Sequence, residues 1–116
     1  MVDQDRRRAP RISTSIEVRY QCGTDSYIHH TMDLSLRGLY IVTGNPLKVG
    51  SPVTVSFSLP GFDHSFNIKG SVVRNNLGGV SEGPPGMGIE FVDLDKEDER
   101  VLLQFVVQSQ LTQKGY

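Results

Sequence analysis

Four arginines fall within six residues near the start of the chain, in the run RRRAPR from Arg6 to Arg11. A guanidinium is a flat, forked donor that matches phosphate and carboxylate oxygens two at a time and stacks on rings. Such a cluster suits a ligand carrying both anionic and planar groups, although a solvated basic tail has the same composition. Arg7 and Arg11 are separated by three residues. Pro10 stiffens the segment and pushes Ala9 toward an extended conformation, which argues for an arm rather than a helix. A second stretch, DLSLRG from Asp33 to Gly38, sets a carboxylate, a hydroxyl and a glycine at fixed offsets. Read locally, it is a turn in which Asp33 and Ser35 satisfy nearby backbone groups and Gly38 supplies an unusual φ.

Other chemistry is poorly supported. The sequence has no P-loop, nucleophile elbow or HExxH, so no catalytic residue is assigned and an enzyme is not expected. Asp63 and His64 lack a nucleophile partner and read as surface turn residues. Cys22 is the single cysteine and His29 and His30 are adjacent, so zinc-ligand spacing is missing and no metal is expected. Nothing cationic adjoins Cys22 in sequence to activate its thiol, which reads as a packed or indifferent side chain. Met32 and Met87 read as core filler.

Charge is more telling in its distribution than in its total. The 116-residue chain has a net charge of −1, unlike a general nucleic-acid binder. Within residues 1–11, Arg6, Arg7, Arg8 and Arg11 outnumber Asp3 and Asp5 to leave +2, and the remaining residues sum to −3. Nor do the aromatic residues form an exposed stripe with basic neighbours; most sit at alternating, core-like positions. No apolar run is long enough for a membrane span, and MVDQDRRR lacks the apolar core of a secretory signal. With one unpaired cysteine, a reducing, cytoplasmic location is expected.

The elements that must position these residues read as follows. Residues 12–21 alternate in part, with Ile16, Val18 and Tyr20 on one face of a strand. CGTDS is turn chemistry. A second strand over 27–33 runs into Asp33, DLSLRG interrupts, and LYIVT (39–43) is a third, rich in β-branched and aromatic residues. After the loop 44–50, Val53, Val55, Phe57 and Leu59 alternate cleanly. Residues 65–75 and 87–93 are further strands, separated by a Gly/Pro-rich loop. The period then changes to helical over 95–111, where Val101, Leu102, Phe105 and Val106 form one stripe. Asp95 is the expected N-cap, and acidic residues fill the first turn. Short strands with regular turns and one final helix predict a mainly β fold. It is a small antiparallel six- or seven-stranded barrel over 12–112, with a flexible arm over 1–11. The helix is expected to plug a barrel end or cover an edge.

The arm and the turn together resemble the PilZ domain, the bacterial receptor module for cyclic di-GMP. The motifs stand here as RRAPR (Arg7, Arg11) and DLSLRG (Asp33, Ser35, Gly38), with no departure at those five positions. The surrounding text, from about Asp5 to Leu111, is similar as well: IEVRY after the arm, LYIVT after the turn, then GSVVRN and GMGIEFVDL before a helix. The resemblance implies a PilZ-like barrel, cyclic di-GMP as ligand rather than a cofactor, and binding through Arg7, Arg11, Asp33, Ser35 and Gly38. An arginine fork matches the O6 and N7 acceptors of guanine, a pairing worth about 1–3 kcal/mol of discrimination in DNA, and Asp33 can accept from guanine N1–H and N2–H₂. Ser35 can donate to an oxygen, and Gly38 leaves room for close approach. Arg6, Arg8 and Arg37 are additional guanidiniums, with Arg8 open between a phosphate contact and solvation. Arg6 leaves an intercalated ligand dimer open. The resemblance further implies a ligand-driven switch acting on an unidentified effector protein, in motility, pilus or polysaccharide machinery. The alternative is a PilZ-fold protein-interaction adaptor independent of cyclic di-GMP.

Overall fold

The computed structural model describes residues 10–78 and 83–114. Its elements in chain order are β1 (Arg11–Ser13), β2 (Glu17–Cys22), β3 (Asp25–Ser35), β4 (Gly38–Val42), β5 (Pro52–Ser58), β6 (Ser65–Asn76), β7 (Gly86–Asp93) and a helix, α1 (Lys96–Lys114). Every strand pairing is antiparallel, and the order β3-β2-β5-β6-β7-β4 closes on itself through β3–β4. Six strands thus form a barrel wall, and β1 lies outside it, paired to β3. This is the expected mainly β barrel with a C-terminal helix.

Period-two patterning explains the wall. Val18 and Tyr20 on β2, Val53, Val55 and Phe57 on β5, and Phe66, Ile68 and Val72 on β6 all point inward and are buried. Burial pushes the Tyr20 phenol above its ordinary pKa. Met87 is fully buried, and Cys22 is half-buried against the core.

The helix closes the barrel with the predicted stripe, since Val101, Leu102, Phe105 and Val106 are all buried. Asp95 caps it: its carboxylate accepts from the Asp98 backbone N–H at 2.8 Å and its carbonyl from Glu99 N–H at 2.9 Å. Phe62 meets Phe105 edge-on, with ring centroids 6.1 Å apart. His64 differs from its reading as a plain surface turn residue, because its Nε2 donates to Asp98 Oδ1 at 2.7 Å. The β5–β6 turn is thereby tied to the first turn of α1.

Residues 12–21 do not form one strand. The chain breaks between Ser13 and Glu17, and the buried Thr31 hydroxyl spans the break. It accepts from Ile16 N–H at 3.1 Å and donates to Thr14 carbonyl oxygen at 2.6 Å. Thr14 N–H reaches Met32 carbonyl, and Thr31 N–H reaches Ile16 carbonyl. Next to it the β3–β4 register shifts between Thr31 and Asp33, making Met32 a bulge residue. Met32 is therefore 38% exposed rather than core filler; the expectation rested on residue type alone, and the bulge turns the side chain outward. Replacing Thr31 with Val keeps the shape and strands Ile16 N–H. Thr31→Val is expected to lower stability by about 1–3 kcal/mol in urea unfolding.

Candidate functional site

The β1–β3 register joins the two sequence stretches. Arg11 pairs with Ser35, Ile12 with Leu34 and Ser13 with Asp33. Directly opposed residues share a face, so Ile12 and Leu34 point into the core, 1% and 0% exposed, while Arg11, Asp33 and Ser35 share the other face. There Arg11 Nη1 donates to Asp33 Oδ1 at 2.5 Å. Asp33 is thus occupied by the arginine of the other motif, not by a local turn. Arg6, Arg7 and Arg8 lie outside the described residues.

The turn itself is shorter than the sequence suggested. Strand β3 continues through Ser35, because β1 and β4 pair with it on either side. Only Leu36 and Arg37 connect it to β4. Ser35 is fully buried; its Oγ accepts from Arg37 N–H at 3.1 Å and donates to Gly38 carbonyl at 3.4 Å. Arg37 carbonyl accepts from Phe91 N–H at 2.8 Å, binding the turn to β7. Gly38 is not among the glycines with positive φ, so the unusual φ expected there is absent. Its requirement is steric: a Cβ would lie 1.9 Å from the Ile89 carbonyl oxygen. The chain that approaches Gly38 is therefore β7.

These residues line an open groove of about 650 Å³ that contains Arg11, Asp33, Ser35, Arg37 and Gly38 together. The groove also takes in Tyr40, Val73, Arg74, Gly88 and Glu90, which the sequence reading passed over. Arg74 is the clearest of these. On β6 the inward positions Ile68, Gly70 and Val72 would be followed by Arg74, but the register against β7 shifts between Val72 and Arg74. Val73 becomes the bulge residue, and both Val73 and Arg74 are exposed. The Arg74 guanidinium carbon lies over the Tyr40 ring, 5.5 Å from its centroid. The one sequence signal was the adjacent pair Val72–Val73, which breaks period two. Arg37 Nη2 meets Glu90 Oε2 at 3.7 Å across the groove floor.

A family model described as PilZ domain matches residues 5–108. Several solved structures share the fold. The inhibitor of motility MotI/DgrA from Bacillus subtilis superposes with a TM-score of 0.78 at 19% identity, covering 92% of this chain and 52% of that one. The PilZ domain of Escherichia coli YcgR with c-di-GMP gives 0.75 at 18% identity, covering 94% and 95%. The PlzA protein of Borreliella burgdorferi in complex with c-di-GMP gives 0.65 at 14%, covering 90% and 43%. This chain therefore spans about half the length of MotI/DgrA. None of the curated proteins compared matches it.

The close approach at Gly38 sets a test of what that glycine is for. Gly38→Ala forces β4 and β7 apart at Ile89. The substitution is expected to lower the thermal unfolding midpoint of ligand-free protein by several degrees, at about 1–3 kcal/mol of lost stability. An unchanged midpoint would show that the barrel tolerates a side chain there.

Proposed function

The chain belongs to the PilZ domain family, and from that premise we propose that it is a cyclic di-GMP receptor acting as a ligand-switched adaptor. The observation that carries this reading is the β1–β3 register, which brings Arg11 beside Asp33 and opposite Ser35 on one groove. Two stretches more than twenty residues apart in sequence meet at one place whose donors and acceptors suit a guanine nucleotide.

The roles follow from the chemistry. Arg7 and Arg11 provide flat guanidiniums for guanine edges, ring faces and phosphates. Asp33 accepts from the N1–H and N2–H₂ edge of guanine, which adenine lacks. Ser35 holds the turn through two backbone contacts, so its contribution is to fix where Arg37 and Asp33 stand. Gly38 lets β7 close beneath the groove. Arg6, Arg8 and Arg37 add positive charge around the phosphates, and an intercalated pair of ligands remains compatible with that density.

Arg11 and Asp33 already satisfy each other without ligand. A guanine entering must exchange or share that contact, which couples occupancy to the base of the arginine segment. Because Arg11 already belongs to β1, the switching part of the arm is the segment ahead of it: cyclic di-GMP screens the mutual repulsion of the arginines and fixes that segment over the groove, forming a surface for an effector protein in the cytoplasm.

Calorimetric titration with cyclic di-GMP, with cyclic di-AMP as control, is expected to show saturable binding at one or two ligands per chain, abolished by Arg7→Ala or Arg11→Ala. Silence at high micromolar ligand would favour the adaptor that works by protein contact alone. The switch has its own readout. Trypsin cleavage among Arg6, Arg7 and Arg8 is expected to slow several-fold at saturating ligand, whereas equal rates with and without ligand would rule out ordering of the arm.

A further inference from the structure

Three described guanidiniums line the groove, and they differ in what compensates them. Arg11 is paired with Asp33 at 2.5 Å and Arg37 with Glu90 at 3.7 Å. Arg74 makes no ion pair with a described carboxylate; its contact is with the Tyr40 ring face. A ring face orients a cation and leaves its charge and its N–H donors available. An anion entering the groove therefore meets one arginine whose charge is not already answered.

The backbone has been bent to present this residue. Without the shift between Val72 and Arg74, parity would turn Arg74 toward the core. Opposite it in register stands Gly88, where an added Cβ would come within 3.7 Å of Arg74 Cβ and 3.8 Å of its Nε. The absence of a side chain at Gly88 keeps the floor beside Arg74 open. Arg74 also borders a neighbouring pocket of about 380 Å³, shared with Met32, Tyr40, Asn75 and Asn76. Tyr40 is held in place in turn, because its hydroxyl donates to Pro84 carbonyl at 2.9 Å and receives Asn76 Nδ2 at 3.4 Å.

We propose that Arg74, held by the Tyr40 ring, is the groove's phosphate anchor: a binding residue outside both sequence motifs that receives a phosphodiester of the bound dinucleotide. The inference rests on the cyclic di-GMP reading above. It assigns Tyr40 as a positioning residue, acting through Arg74.

The test is a calorimetric series on the full chain with cyclic di-GMP, comparing wild type, Arg74→Gln, Arg74→Lys and Tyr40→Phe, each checked for its ligand-free thermal midpoint. Arg74→Gln keeps length and polarity but removes the charge. It is expected to weaken binding roughly 10- to 100-fold, the value of one charge-assisted hydrogen bond, with an unchanged midpoint. Arg74→Lys restores charge and is expected to recover most of that loss. Tyr40→Phe keeps the ring face and is expected to bind within a few-fold of wild type. If Arg74→Gln binds like wild type, or if Lys and Gln are equally impaired, Arg74 is not a phosphate anchor and the inference falls while the receptor reading stands. If wild type itself does not bind, the receptor reading falls and takes this inference with it.

Discussion

The site depends on one short piece of strand. Arg11, Ile12 and Ser13 are the whole of β1, and they lie outside the barrel wall. What holds them is Ile12, fully buried opposite Leu34. Burying one such side chain is worth about 1.5–3 kcal/mol, and it adds to the pairing of all three residues with the edge of β3. Because side chains alternate along a strand, anchoring Ile12 inward turns Arg11 outward, onto the face that carries Asp33. The position of the guanidinium is a consequence of the isoleucine beside it.

Departures from regular strand geometry then shape the groove around that arginine. The break after β1 is bridged by the Thr31 hydroxyl, which lets the chain change direction while leaving Ile16 N–H and Thr14 carbonyl satisfied. Bulges at Met32 and Val73 each add a residue to one strand of a pair and turn side chains outward. The Val73 bulge brings Val73 and Arg74 to the groove, beside residues of β4 and β7 that pair in continuous register. Strand β5, paired with β6 in continuous register, contributes no residue to the groove.

Electrostatically, two of the three described arginines on the groove, Arg11 and Arg37, have carboxylate partners on neighbouring segments. Such pairs align the guanidiniums and limit their repulsion, and both Arg11 and Arg37 remain partly exposed, where ion pairs contribute little net stability. They serve geometry more than folding energy.

Much of this was present in the amino-acid order. Period-two runs set most strand cores, the change to a helical stripe located α1 and its cap, and the two motifs named Arg11, Asp33, Ser35 and Gly38, which line one groove, while Arg7 lies outside the described residues. What the order could not express was register. Met32 reads as core filler by residue type, Arg74 attracts no reading, and a local turn accounts for Asp33 without Arg11, because none of these readings contains the strand register. Likewise His64, read as a surface turn residue, meets Asp98, since the barrel brings the β5–β6 turn to the helix start. Side-chain type and local period are properties of neighbours along the chain, and the sequence by itself determined those. Which strand lies beside which, where one slips by a residue, and which cation meets which acid are settled only when the barrel closes and core burial selects one pairing.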